Sequence, residues 1–211
     1  NMAGAQKFWR RVLESIGIYR KNTQGREVLM VSYKESWSSI SREDAKDYLK
    51  YYPRDAKNAL IPFLNSLDKN IDMLEVGCGN CQNFPIYDGS VKGLKYTGVE
   101  CSDFYNFFES NSKKFDITLI YHVMELIESQ DLLIKYASEF SEHIAILWYE
   151  PPVHEYQIIE LKGETYGGYD NTPYIRIKTS KDYYEHLLDK YSLDLVATFS
   201  FSEKQRLDIL K

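Results

Sequence analysis

Four apolar runs restrict what this chain can fold into. "IDMLEV" (71–76), "LKYTGVE" (94–100), "FDITLIY" (115–121) and "HIAILWYE" (143–150) are each strand-length and mostly apolar, with no strict alternation. A strand with one wet face alternates, whereas a strand buried on both faces does not. The runs therefore predict a parallel sheet covered by helices. "MELIESQDLLIKYASEF" (124–140) lies between the third and fourth runs. It carries Leu126, Ile127, Leu132, Leu133, Tyr136 and Phe140 at helical spacing, and a strand–helix–strand unit of this kind demands a right-handed crossover. The end of the chain differs. "LDLVATFSF" (193–201) and "RLDILK" (206–211) are separated only by "SEKQ", a hairpin-length connection that predicts an antiparallel pair.

The region before the first run reads as mostly helical. Residues 4–20 place Phe8, Val12, Leu13, Ile16 and Tyr19 near helical spacing, and 22–25 break the pattern. "REVLMVSYKESWSSI" (26–40) fits strand or helix. Ser41 followed by Glu43 and Asp44 marks the start of a helix over 42–51 that stops before Pro53. A further helix over 54–66 buries Ala56, Leu60, Phe63, Leu64 and Leu67. The expected organisation is a helical segment over 1–67 packed on a core over 68–211. The fold class is a three-layer α/β sandwich with a mostly parallel sheet and an antiparallel C-terminal hairpin.

Composition narrows the function classes. With 211 residues and 44% hydrophobic content, the chain can fill a core. No run reaches the roughly 20 apolar residues that span a bilayer, and the N-terminal stretch lacks the apolar core of a signal peptide. The net charge of −5 disfavours a polyanion as main partner. Three cysteines, an odd number in a chain of this size, fit a reducing compartment without disulfides. A soluble, cytoplasmic protein with no membrane or nucleic-acid partner is expected.

The chemistry concentrates in "LEVGCGNCQ" (74–82). Gly77 and Gly79 directly follow the first strand, and ligands of open α/β sheets bind beyond the carboxyl ends of the strands. Taken alone, Gly-x-Gly is as compatible with an ordinary strand-to-helix turn as with a ligand loop. Two acids add weight to the ligand reading. Glu75 precedes the turn, and Glu100 ends the next strand about 20 residues on, where a carboxylate can accept both ribose hydroxyls of a nucleoside. Gln82 stands where a dinucleotide fingerprint has its third glycine, which counts against NAD or FAD. Cys78 and Cys81 have C-x-x-C spacing. Cys101 and His122 would be needed to complete a zinc site, but the second C-x-x-C is missing. The Glu-x-Gly-x-Gly lead-in is also foreign to a thioredoxin-like redox pair, so no metal is expected.

"LEVGCGNC" resembles the first motif of class I (Rossmann-like) S-adenosylmethionine-dependent methyltransferases. "YTGVECSD" is similar to their second motif, and "FDITLIYHVMELIES" to their fourth strand and the segment after it. "EHIAILWYEPP" resembles their fifth strand, and "TSKDYYEHLLDKYSLDLVATFSF" their last helix and sixth strand. The resemblance covers about 71–211. It implies S-adenosylmethionine as cofactor and S-adenosylhomocysteine as product. It further implies that Glu75 organises the glycine loop near the methionine amino group. Gly77, Cys78, Gly79 and Asn80 pass along the cofactor, and Glu100 holds the ribose with Cys101 and Ser102 beside it. Tyr121 and His122 face the sulfonium or the acceptor, and the first 67 residues form a lid. One departure is large: only 15 residues separate Glu100 from Asp116. The third-strand region is thus shortened, and "YNFFES" (105–110) is the candidate remnant.

His122 has two readings, a histidine that supports its loop or a substrate-side catalytic base. Methyl transfer from a sulfonium gains mostly from alignment. The loop 150–179 exceeds an ordinary connection and brings His154, Tyr156 and Tyr169, which make it a substrate flap or a surface hairpin. Tyr33 and Trp37 are lid candidates. "(N/D)-P-P-(Y/F)", a nitrogen-methylation signature, is absent. The expectation is a methyltransferase acting on an oxygen or nitrogen of a metabolite, sugar or biosynthetic intermediate. A cofactor-binding protein without catalysis, serving as partner or regulator, and a nucleotide-dependent oxidoreductase are the alternatives.

Overall fold

A computed structural model describes residues 19–21, 27–29, 55–78, 83–101, 103–162, 174–202 and 205–211. The elements are β1 (Tyr19–Lys21), β2 (Glu27–Leu29), α1 (Asp55–Ser66), β3 (Asp72–Val76), α2 (Phe84–Tyr87), β4 (Lys95–Val99) and α3 (Phe104–Ser110). They continue with β5 (Phe115–Tyr121), a 3-10 turn (Met124–Leu126), α4 (Gln130–Phe140), β6 (Ser141–Trp148), β7 (Ile158–Lys162) and β8 (Tyr174–Lys178). Last come α5 (Lys181–Tyr191), β9 (Leu195–Ser202) and β10 (Gln205–Leu210).

Six strands form one sheet in the order β4-β3-β5-β6-β10-β9. The pairs β3–β4, β3–β5 and β5–β6 are parallel, whereas β10 runs antiparallel to both β6 and β9. Residues alternate between the two faces. Met73, Ile117, Leu119, Ala145, Leu147, Leu207 and Ile209 meet Ala56, Leu60 and Leu64 of α1 and Tyr87 of α2. Leu74, Val76, Ile120, Ile144, Ile146 and Trp148 meet α3, α4 and α5 on the opposite face. The predicted three layers are present. The central strands carry apolar residues on both faces because both faces are covered.

Buried polar groups tie the layers together. Asp208 of β10 is wholly buried and accepts hydrogen bonds from Trp148 Nε1 (3.0 Å), Tyr184 Oη (3.1 Å) and Thr198 Oγ1 (2.9 Å). Arg206 Nη2 lies 2.7 Å from the same carboxylate. The amino ends of the strands are joined by ion pairs, Lys69 with Asp116 and Glu142 and Lys113 with Asp72, each at 2.7 Å. No helix among the described residues is long and apolar enough to cross a membrane.

Three local expectations are corrected. Tyr19 and Arg20 belong to a strand that pairs antiparallel with β2, so the helical pattern over 4–20 does not continue to its last two residues. "YNFFES" forms most of α3 and is no strand remnant. Its aromatic residues suit a strand, but Phe104 and Phe108 lie one helical turn apart, and both are buried. Phe108 also stacks on Tyr136 of α4 at 5.2 Å. The helix expected over 124–140 divides into the 3-10 turn and α4. Between them the Gln130 side chain donates to the Met124 carbonyl (2.5 Å), a polar tie that apolar spacing cannot register.

Candidate functional site

The carboxyl ends of β3, β4 and β5 converge on Gly77. Its φ is +77°, and its N–H donates to the Val99 carbonyl at 2.7 Å. A Cβ at this position would overlap the Val123 side chain beyond β5 and lie 2.8 Å from Cys101 Sγ beyond β4. Only glycine satisfies both the dihedral and the space. Cys78 is buried beside it, and the Cys101 thiol is pushed up to about 12 by burial, then by the charges of Glu100 and Glu75. A thiol so protonated is a poor nucleophile. Among the described residues no group of three or more His, Cys, Asp or Glu is placed to hold a metal ion.

Glu75 is wholly buried, and both its oxygens are engaged: Asn83 Nδ2 donates to one and the Tyr96 hydroxyl to the other. Asn83 opens α2, and Tyr96 lies on β4 with its ring 5.2 Å from Phe84. Glu75 therefore braces both ends of the connection that leaves the glycine turn. Glu100 is only half-buried, immediately after β4. Tyr121 is half-buried at the end of β5, where its hydroxyl meets that of Tyr87.

His122 follows with φ +55°, a conformation uncommon outside glycine. Its N–H donates to the Leu147 carbonyl at 2.9 Å, and its ring lies edge-on to Tyr149 at 5.8 Å. Beyond it, the wholly buried Glu125 accepts the backbone N–H groups of Tyr149 (2.5 Å) and Glu150 (3.2 Å). Burial pushes its carboxyl up to about 7, against the opposing pull of those backbone bonds and of Arg176. Arg176 on β8 pairs with Glu150 at 3.0 Å and lies 4.8 Å over the Tyr149 ring. The β7–β8 hairpin thus packs against the 3-10 turn after β5.

The structure brings Glu75, Gly77, Cys78, Glu100, Cys101, Tyr121 and His122 to one end of the sheet. His154 stands elsewhere in the chain's order: it bridges Ser180, and its carbonyl accepts Lys181 N–H at 3.0 Å at the start of α5. Tyr156 is 70% exposed and faces solvent. Gly79, Asn80, Ser102, Tyr33, Trp37 and Tyr169 lie outside the described residues. Sequence reasoning missed Asn83, Tyr87, Tyr96, Glu125, Tyr149 and Arg176. A signal existed for Glu125 alone, an acid set inside the apolar "VMELI".

No family model matches the chain, and no curated protein matches it. Solved structures do. DesVI of Streptomyces venezuelae is similar with a TM-score of 0.54 at 10% identity, over 82% of this chain and 98% of that one. The CcbJ methyltransferase of Streptomyces caelestis gives 0.51 at 12% identity, over 84% and 98%. DhpI in complex with SAH gives 0.51 at 11% identity, over 84% and 96%. Together with the strand order and the single antiparallel strand β10, these likenesses show that the chain has the class I methyltransferase fold.

Proposed function

We propose that the chain is an S-adenosylmethionine-dependent methyltransferase that modifies an oxygen or nitrogen of a small molecule, a metabolite, sugar or biosynthetic intermediate. The observation that carries this reading is the convergence at Gly77. There, three strand ends meet around a turn that excludes any side chain, with Glu75 beneath it and Glu100 beside it. When bound, S-adenosylmethionine supplies a methyl group already activated on a sulfonium. The residues fit such a ligand. Glu100 has the exposure and the acceptor oxygens for two ribose hydroxyls. Gly77, Cys78, Gly79 and Asn80 offer backbone to the methionine end, and Cys101 and Ser102 flank the nucleoside. Glu75, with both oxygens engaged by side chains, acts by holding the turn in shape.

Tyr121 and His122 line the acceptor side. Their part is to fix the acceptor and exclude water, since alignment supplies most of the rate for a good leaving group. His122 is the candidate base where the acceptor is an alcohol, whose proton must leave. Residues 1–67, with Tyr33 and Trp37, are proposed as the lid, and His154, Tyr156 and Tyr169 belong to the acceptor loop. The likeness to CcbJ, named a methyltransferase, and to DhpI, solved with SAH, supports the reading. The charge of −5 supports a small acceptor over a nucleic acid, and the cysteine count a cytoplasmic setting.

One observation favours a second reading, a binding protein without catalysis. Among the described residues no strand lies between β4 and β5, so β4 ends the sheet where a further strand would help to frame an adenine. Calorimetry with S-adenosylmethionine, S-adenosylhomocysteine and NAD separates the cases. The expected result is micromolar-range binding of both methionine-derived ligands and none of NAD. Absence of both would sink either reading, and NAD binding alone would identify an oxidoreductase. Glu100→Ala should weaken binding at least tenfold, the loss of charge-assisted ribose bonds of about 1.5–3 kcal/mol. Binding with no transfer to any member of a broad alcohol and amine panel would favour the second reading.

A further inference from the structure

Glu125 is a buried acid that neither the glycine turn nor the nucleoside uses. It lies on the turn after β5, yet its bonds go to the residues after β6. Those two residues are held a second time from β8, because Arg176 pairs with the Glu150 carboxylate and covers the Tyr149 ring. Tyr149 in turn meets the His122 ring edge-on. The carboxylate therefore joins two segments that are distant in sequence, Arg176 ties β8 to the second of them, and all three border the carboxyl end of the sheet. Its other oxygen, Oε2, is buried with no hydrogen-bond partner among the described residues. A leucine in its place would leave the Tyr149 and Glu150 N–H groups without their acceptor, so the acid is what ties the two segments together.

We propose that Glu125 is a positioning residue. It clamps Tyr149 and Glu150 against the β7–β8 hairpin and so sets the wall of the acceptor side beside His122. That the wall faces an acceptor rests on the methyltransferase reading, whereas the clamp itself does not. The groups around the carboxyl are Arg176 from β8, Glu150 after β6, whose charge Arg176 balances, and His122 behind Tyr149. Opening the clamp would expose Glu125 to water and return its carboxyl to the ordinary range. The closed form binds a proton more tightly than the open form, so opening is favoured as pH rises between about 4.5 and 7 and levels off above.

Hydrogen–deuterium exchange on the full chain, corrected for intrinsic rates, tests this at pH 5, 6, 7 and 8. In the wild type, protection of the Tyr149 and Glu150 amides and of β8 should fall by up to about tenfold per unit between pH 5 and 7, then hold steady. Glu125→Gln keeps the volume and an acceptor oxygen, and should give a profile flat with pH in those segments. Arg176→Met, which keeps Glu125, should loosen β8 while the pH response remains. A Glu125→Gln profile that follows the wild type, or Arg176→Met protection equal to wild type, would overturn the clamp. S-adenosylhomocysteine calorimetry on the same samples separates the two ideas. Affinity within about twofold in Glu125→Gln is expected, because the clamp lies off the nucleoside. A wild type that binds no ligand yet shows the exchange pattern would sink the methyltransferase reading and leave the clamp standing.

Discussion

At Gly77 the sequence and the structure say the same thing for a reason that can be stated atom by atom. A glycine after a buried strand signals a turn, and the turn has φ +77°. What the sequence could not show is the crowding, because Val123 and Cys101 reach the position from other strands. Gly77→Ala therefore meets a strained dihedral and an overlap together. We expect a loss of about 2–4 kcal/mol in urea unfolding, the sum of the backbone and overpacking costs, with a larger proportional loss of S-adenosylhomocysteine affinity. A variant as stable as the wild type would mean that the turn can relax. Glu125 shows the reverse case, a residue whose role was hidden inside a helical pattern. Its carboxyl is pushed up to about 7 by burial, above the 4.5 of an exposed group. The folded chain thus retains a proton that the unfolded chain has already lost. Stability should decline as pH rises from about 4.5 to 7, and then level off. Glu125→Gln should remove a decline on the order of 3 kcal/mol from the pH–stability curve.

At the scale of elements, the central strands were legible because burial on both faces writes itself into composition, and α1 because Ala56, Leu60 and Leu64 recur at helical spacing. The α3 segment was not. "YNFFES" has the aromatic content of a strand, and its helical identity depends on Tyr136 and Phe140 of α4, which receive Phe108. The antiparallel end was legible from the short connection between β9 and β10, but its anchor was not. Asp208 sits in an apolar run and looks like an edge residue, yet it is wholly buried under Trp148, Tyr184, Thr198 and Arg206. Removing it strands an indole N–H, a phenol and a guanidinium. We expect Asp208→Ala to cost about 3–5 kcal/mol in denaturant unfolding, and Asp208→Asn clearly less, since the amide oxygen still accepts. Equal losses for the two would show that charge, and not hydrogen bonding, dominates there.

At the scale of the molecule, the two ends of the sheet do different work. The amino ends are stitched by Lys69, Lys113, Asp72, Asp116 and Glu142. The carboxyl ends carry the glycine turn, the half-buried Glu100, the strained His122 and the hairpin. This division was legible in outline, because acids and glycines follow the apolar runs. The walls of the site were not, because they come from side chains of α2, β4 and β8 that no local pattern marks. The sheet's edge at β4 is where the short Glu100–Asp116 interval has its consequence. On the proposed reading, a nucleoside bound there would lack one flank and lean more heavily on Glu100. If the methyltransferase reading holds, ligand bound only by the folded chain must raise its stability by mass action, about 2.7 kcal/mol at 100 times the dissociation constant. For a chain of this length that corresponds to a rise of about 5 to 10 °C in thermal midpoint. S-adenosylhomocysteine should produce it and NAD should not. Under the same ligand concentration, Glu100→Ala should keep about half of the shift or less, while its unliganded midpoint stays within about 2 °C of wild type, since the residue is half-exposed. A full shift in Glu100→Ala would show that the open β4 edge does not throw the nucleoside onto that carboxylate.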